Sequence, residues 1–185
     1  MMNVFDERQR RLAAIAKAKG LGAIAFVPGA NFVYLTGLHF HLMERPTVLF
    51  ITSGAQVLAI MPELEREKWS TTFPRAETFY WQDSEGYQSA FARAAEALDG
   101  LMIGVEGMRM RVFEGDALRK HFPQGSIVDA EQHLIDLRIS KSEAEIAAME
   151  KAIAISERAL SETVAFLKSG NTEREIDRKS TRLNS

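Results

Sequence analysis

The chain has 185 residues, 46% of them hydrophobic, and carries 23 Lys and Arg against 25 Asp and Glu for a net charge of -2. That balance fits an ordinary globular protein and excludes a basic nucleic-acid footprint. The absence of cysteine excludes disulfides, thiolate zinc sites and a cysteine nucleophile, and no apolar run reaches the ~20 residues a membrane-spanning helix needs.

The N-terminal stretch 1–11 is polar and amphipathic with no signal-peptide core, so a cytoplasmic location is expected. Val4, Leu12, Ile15 and Ala16 recur at helical spacing, and Gly20 suits the position just past the helix end. The run 23–27 before Pro28-Gly29 predicts a buried strand. Asn31 to Leu35 predicts one or two helical turns starting at Asn31, ended by Thr36-Gly37. Strands are expected at 47–51 and 56–60, joined as a hairpin at Ser53-Gly54. A short helix with Pro62 near its start follows, then a strand at 77–81, a helix at 87–98, a strand at 101–105, a helix at 112–120 and a last strand at 126–129. Mixed strands and helices of this kind predict a three-layer α/β domain whose largely parallel sheet includes one antiparallel pair.

From Glu131 the strand pattern stops. Ser142 and Glu145 form a capping box, and Ile146, Met149, Ile153, Leu160, Val164 and Leu167 then predict a long amphipathic helix ending near Gly170. Such a helix needs an apolar partner surface, so its face is expected to be exposed or captured by another copy. Thr172 and Glu175 announce a further helix, but the polar run after Ile176 is expected to break it.

Several side chains are candidates for chemistry. His39 and His41 form His-x-His, a spacing that suits a transition metal, but with no third ligand in view they read first as loop residues. Glu63, Glu65, Arg66, Glu67 and Lys68 read as a solvated face. Asp136 and Arg138 could pair at a hinge. Trp69, Phe73, Phe79, Tyr80 and Trp81 read as packing rather than as a binding platform. Tyr34 is expected to pack with its hydroxyl satisfied. No P-loop, G-x-G-x-x-G, H-E-x-x-H or G-x-S-x-G motif is present.

Three stretches together resemble the Xaa-Pro peptidase, prolidase and creatinase family. They are Asn31-Phe-Val-Tyr34-Leu-Thr-Gly37, Pro62-Glu-Leu-Glu-Arg66 after a strand pair, and Leu137-Arg138-x-x-Lys141-Ser142-x-x-Glu145-Ile146-x-x-Met149. The resemblance implies a ribonuclease H-like creatinase N-terminal domain at 1–131, an inter-domain linker at 132–141 and the truncated start of a pita-bread catalytic domain at 142–176. It implies an intact parent that hydrolyses short proline-containing peptides with two divalent metal ions, Mn, Co or Zn. The family holds these with two Asp, one His and two Glu around a bridging water. None of those ligand positions falls in this sequence, so no catalytic residue, metal ligand or cofactor is assigned and the chain as written is expected to be inactive.

In the resembled family the loop after the Tyr34 motif can lie near an active-site mouth, sometimes that of a neighbouring subunit. His39, His41, Glu44 and Arg45 are therefore substrate-pocket candidates. The N-terminal domain is expected to support a homodimer or higher homo-oligomer and to restrict substrates, with no nucleic-acid or membrane partner. A creatinase-like hydrolase of small C–N compounds and a non-catalytic peptide- or protein-binding module are the alternatives. Residues 177–185 resemble a translated sequencing adapter and are expected to be a non-native tail.

Overall fold

The computed structural model describes residues 3–183, so positions 184 and 185 of the adapter-like stretch lie outside the described residues. The chain divides into two compact units, 1–139 and 140–185.

The first unit opens with α1 (Val4–Ala18). The Asn3 side chain accepts from the Phe5 amide, and Asp6 accepts from the Asn3 amide, both at 3.3 Å. Gly20 takes φ 69° just beyond the helix, as its position predicts. Then come β1 (Ala23–Phe26), α2 (Ala30–Thr36), β2 (Val48–Thr52), β3 (Val57–Pro62), a 3-10 turn (Glu63–Glu65), α3 (Arg66–Thr72), β4 (Glu77–Trp81), α4 (Gln88–Ala97), β5 (Ile103–Val105), α5 (Val112–His121), β6 (Ile127–Asp129) and α6 (Glu131–Arg138).

The six strands form one mixed sheet in the order β4-β3-β2-β1-β5-β6. Pairs β1/β2 and β2/β3 are antiparallel, while β1/β5, β3/β4 and β5/β6 are parallel. Alternation along the strands divides the core into two clusters. Ala25, Phe50, Ile60 and Trp81 pack with α4 and α5, whereas Ile24, Phe26, Ile51 and Met61 pack with residues of α1, α2, α3 and α6. The result is the expected three-layer α/β architecture with a mixed sheet.

Four local expectations need correction. Residues 53–56 join β2 to β3; three of them, 53–55, lie inside the Thr52–Gln56 hydrogen bond, and Ala55 takes the left-handed conformation at φ 63°. The Ala55 amide donates to the Thr52 carbonyl at 2.8 Å and the Thr52 amide to the Gln56 carbonyl at 3.0 Å, a geometry that puts positive φ on the last of these three residues. Pro62 both ends β3 and caps the 3-10 turn that leads into α3, as its expected place near a helix start requires, but α3 runs on to Thr72, with Trp69 fully buried and its Nε1 donating to Thr78 Oγ1 at 2.9 Å. Asn31 does not start α2; Gly29 is its N-cap. The stretch expected as a linker carries α6, whose Leu134 and Leu137 are buried in the core, and Arg11 Nη2 donates to the Asp136 carbonyl at 2.8 Å.

The second unit holds α7 (Glu143–Phe166) and α8 (Glu173–Leu183). Glu145 Oε2 accepts from the Ser142 amide at 2.9 Å, and Glu175 Oε2 accepts likewise from the Thr172 amide at 2.9 Å, so both capping boxes form. At ~1.5 Å per residue α7 is about 36 Å long, and Ile146, Met149, Ile153, Leu160 and Val164 along it are exposed. The expected break after Ile176 does not occur. Residues 177–183 contain neither Gly nor Pro, so their polarity removes apolar contacts without removing the capacity to be helical. Among the described residues no helix is long and apolar enough to cross a membrane.

Candidate functional site

The segment between α2 and β2 is irregular and is tied down at four points. First, α2 stops at Gly37, whose φ of 72° and close approach to Phe5 both demand glycine: a Cβ would stand 2.5 Å from Phe5 Cζ. Second, Phe40 is buried edge-on against Phe32, with centroids 5.6 Å apart. Lys68 lies 4.5 Å from the Phe40 ring centroid and donates to the His39 carbonyl at 2.5 Å. Third, Arg111 Nη2 donates to the Met43 carbonyl at 2.7 Å while its guanidinium pairs with Glu114, a fully buried carboxylate. Fourth, Arg45 forks onto Asp83, with Nη2 to Oδ2 at 2.7 Å and Nε to Oδ1 at 3.0 Å, and also reaches Glu44 at 2.9 Å. The hydrogen bond from Arg45 holds the Asp83 carboxyl below its ordinary range.

This anchoring brings the His39 and His41 rings edge to face, 5.1 Å apart. His39, His41, Glu44 and Arg45 all line one cavity of about 330 Å³, together with Thr47, Glu65 and Lys68. Lys68 therefore belongs to this site and not to a purely solvated face. Arg66 of the same cluster also stacks on the Tyr80 ring, 3.6 Å from its centroid, while pairing with Glu63. The aromatic residues pack as expected: Trp69, Phe79 and Trp81 are buried, and Trp69 stacks on Phe73 at 4.5 Å.

The chemistry available is recognition. The cavity offers two imidazoles, the carboxylates of Glu44 and Glu65 and the cations of Arg45 and Lys68, a set suited to a small zwitterion. Among the described residues no group of three or more His, Asp or Glu is placed to hold a metal ion. The residues present do not fit a dinuclear metal centre.

Behind His39 and His41 lies a second cavity of about 710 Å³, lined also by Arg8, Tyr34, Arg109 and Arg138. The Arg8 guanidinium lies 4.0 Å and that of Arg138 5.7 Å from the Tyr34 ring centroid. Arg138 Nη1 donates to Asn31 Oδ1 at 3.2 Å, and Asn31 Nδ2 donates to Glu106 Oε1 at 2.7 Å. The expected Asp136–Arg138 pair does not form, because Asn31 takes the arginine. Glu106 is 5% exposed, and among the described residues its Oε2 has no hydrogen-bond partner. Burial, aided by Glu131, pushes its carboxyl above the ordinary value, while the Asn31 bond and the nearby Arg109 and Arg138 oppose that rise.

Sequence reasoning missed Arg8, Arg109, Glu106 and Asp83 as neighbours of this region. The one visible signal was Glu106 itself, a charge directly after the apolar strand 101–105.

Known proteins share this architecture. A prolidase from Thermococcus sibiricus superposes with a TM-score of 0.82 at 26% identity, covering 99% of this chain and 50% of that one. A dipeptidase from Mycobacterium ulcerans gives a TM-score of 0.83 at 25% identity, covering 98% of this chain and 49% of that one. An uncharacterized peptidase of Staphylococcus epidermidis is 28% identical over 146 residues, 79% of this chain and 40% of the relative. The chain thus spans half or less of the length of these relatives. The family model for the creatinase/prolidase N-terminal domain matches residues 8–140. The chain belongs to the creatinase/prolidase N-terminal domain family.

Proposed function

We propose that this chain is the N-terminal part of an Xaa-Pro metallopeptidase of aminopeptidase P or prolidase type, and that its first unit restricts substrate access and supports a homo-oligomer without performing catalysis. The observation that carries the reading is the convergence of His39, His41, Glu44 and Arg45 on one cavity within a creatinase/prolidase N-terminal domain. A peptide substrate presents an ammonium, a carboxylate and an amide, and that lining offers a partner for each. The prolidase and dipeptidase neighbours support peptides over small C–N compounds as substrates.

In this reading residues 142–176 begin the catalytic domain, and the ligands for two divalent ions, Mn, Co or Zn, come from the remainder of the parent. The α7 apolar face meets that remainder or a second copy. Residues 177–185 are an adapter-derived tail, and the parent works in the cytoplasm. The purified 185-residue chain, supplied with Mn²⁺, is expected to leave an Xaa-Pro dipeptide intact over hours. Metal-dependent turnover by the chain alone would refute the non-catalytic assignment.

A further inference from the structure

The larger cavity differs from the smaller one in charge. Arg8, Arg109 and Arg138 line it together with His39, His41 and Tyr34, and among the described residues no carboxylate does. Arg45 pairs with Asp83 and Glu44, Arg66 with Glu63, Arg111 with Glu114 and Arg119 with Asp116, whereas Arg11 and Arg93 give hydrogen bonds to backbone carbonyls. Arg109 and Arg138 likewise bond to uncharged acceptors, with the buried Glu106 carboxyl nearby. Arg109 Nε donates to the Pro28 carbonyl at 3.0 Å, and Arg138 Nη1 donates to Asn31 Oδ1. Among the described residues neither forms an ion pair.

The backbone makes room for this arrangement. A Cβ on Gly29 would stand 2.2 Å from Arg109 Nε and 2.8 Å from its Cδ. Gly29 is extended at φ 171°, so backbone conformation does not require glycine there; the arginine does. The guanidinium is thereby laid along the cavity wall, and aromatic rings from Phe5, Tyr34 and Phe40 supply apolar wall beside it.

We propose that this cavity binds a phosphate-bearing small molecule. Guanidinium forks match phosphate oxygens in pairs, and a multivalent anion balances several of them where a single carboxylate balances one. The volume of about 710 Å³ suits a small organic phosphate. The aromatic walls would then take the part of the ligand that carries the phosphate. This site shares His39 and His41 with the smaller cavity, but its ligand differs and its occupancy needs no catalytic domain.

The test is calorimetric titration of the 185-residue chain with pyrophosphate, in parallel with inorganic phosphate and a Gly-Pro dipeptide. Saturable 1:1 binding of pyrophosphate is expected, weakening by about tenfold or more as NaCl rises from about 50 to about 500 mM. Arg109→Gln and Gly29→Ala should each weaken it by about tenfold, the second by displacing the arginine sterically without removing charge. Arg66→Gln, with an unchanged circular dichroism spectrum in all variants, should bind like the parent. Absence of saturable pyrophosphate binding, or an affinity in Arg109→Gln or Gly29→Ala equal to that of the parent chain, would each overturn the proposal. Loss of peptidase function in a longer chain would leave the titration result unaffected.

Discussion

Arg138, the last residue of α6, donates to Asn31 near the start of α2 across 107 positions of sequence, at 3.2 Å. The contact joins two of the stretches by which the family is recognised and extends through Asn31 to Glu106 at 2.7 Å. One amide thus serves as acceptor for a cation and donor to a buried carboxyl, a role that neither Asp nor a longer charged side chain could fill.

Replacing that amide isolates the carboxyl. Asn31→Leu leaves Glu106 Oε1 without its present partner and removes the Arg138 acceptor. A loss of about 2 kcal/mol in unfolding free energy is expected, read by urea denaturation. A change within about 0.5 kcal/mol would show that water already serves Glu106 as well as Asn31 does.

The same carboxyl gives a pH signature. Burial raises its folded value above the ordinary 4.5, so between the two values the native state holds a proton the unfolded chain has released. The stabilising contribution is therefore complete below the ordinary carboxylate value and is lost as pH rises through the folded one. Glu106→Gln should flatten that decline and gain stability relative to the parent as pH increases above 4.5. Parallel stability–pH curves for parent and variant would contradict the assignment.

Ala55 occupies a left-handed position near the end of the β2–β3 loop, φ 63°. Glycine adopts this conformation without the Cβ clash but loses more entropy on folding. Ala55→Gly should stabilise the unit by about 0.5–1 kcal/mol, visible as a shift in urea midpoint with an unchanged slope.

Arg111 neutralises Glu114 and holds the Met43 carbonyl. Arg111→Met would leave a fully buried carboxylate without its cation and free the segment that carries His39 and His41. An unfolding free energy lower by about 2 kcal/mol is expected, with faster amide exchange across residues 38–47. Unaltered exchange there would show that Lys68 and Arg45 suffice to hold the segment.

The architecture was legible because the strands 23–26, 48–52 and 57–62 are apolar on both faces and their turns carry Gly or Pro at the boundaries. Local pattern was also enough for the capping boxes at Ser142 and Thr172. It misjudged residues 131–138, where polar Asp136 and Arg138 masked a helix buried through only Leu134 and Leu137. It misjudged α8 in the opposite sense, because lack of an apolar stripe was taken for lack of helix. For the site, the four candidates share a short segment and so could be named together from sequence. Their partners Lys68, Asp83 and Arg111 come from α3, the β4–α4 loop and the residue before α5, and pairing across such distances leaves no periodic trace.

The most direct test is a chimaera in which residues 1–139 replace the equivalent part of the Thermococcus sibiricus prolidase, assayed on an Xaa-Pro dipeptide with and without the change His41→Ala. The expected result is metal-dependent hydrolysis by the chimaera, with KM raised about fivefold or more by His41→Ala and kcat within about twofold. An unchanged KM in a folded, active chimaera would contradict a role for this segment at the substrate mouth.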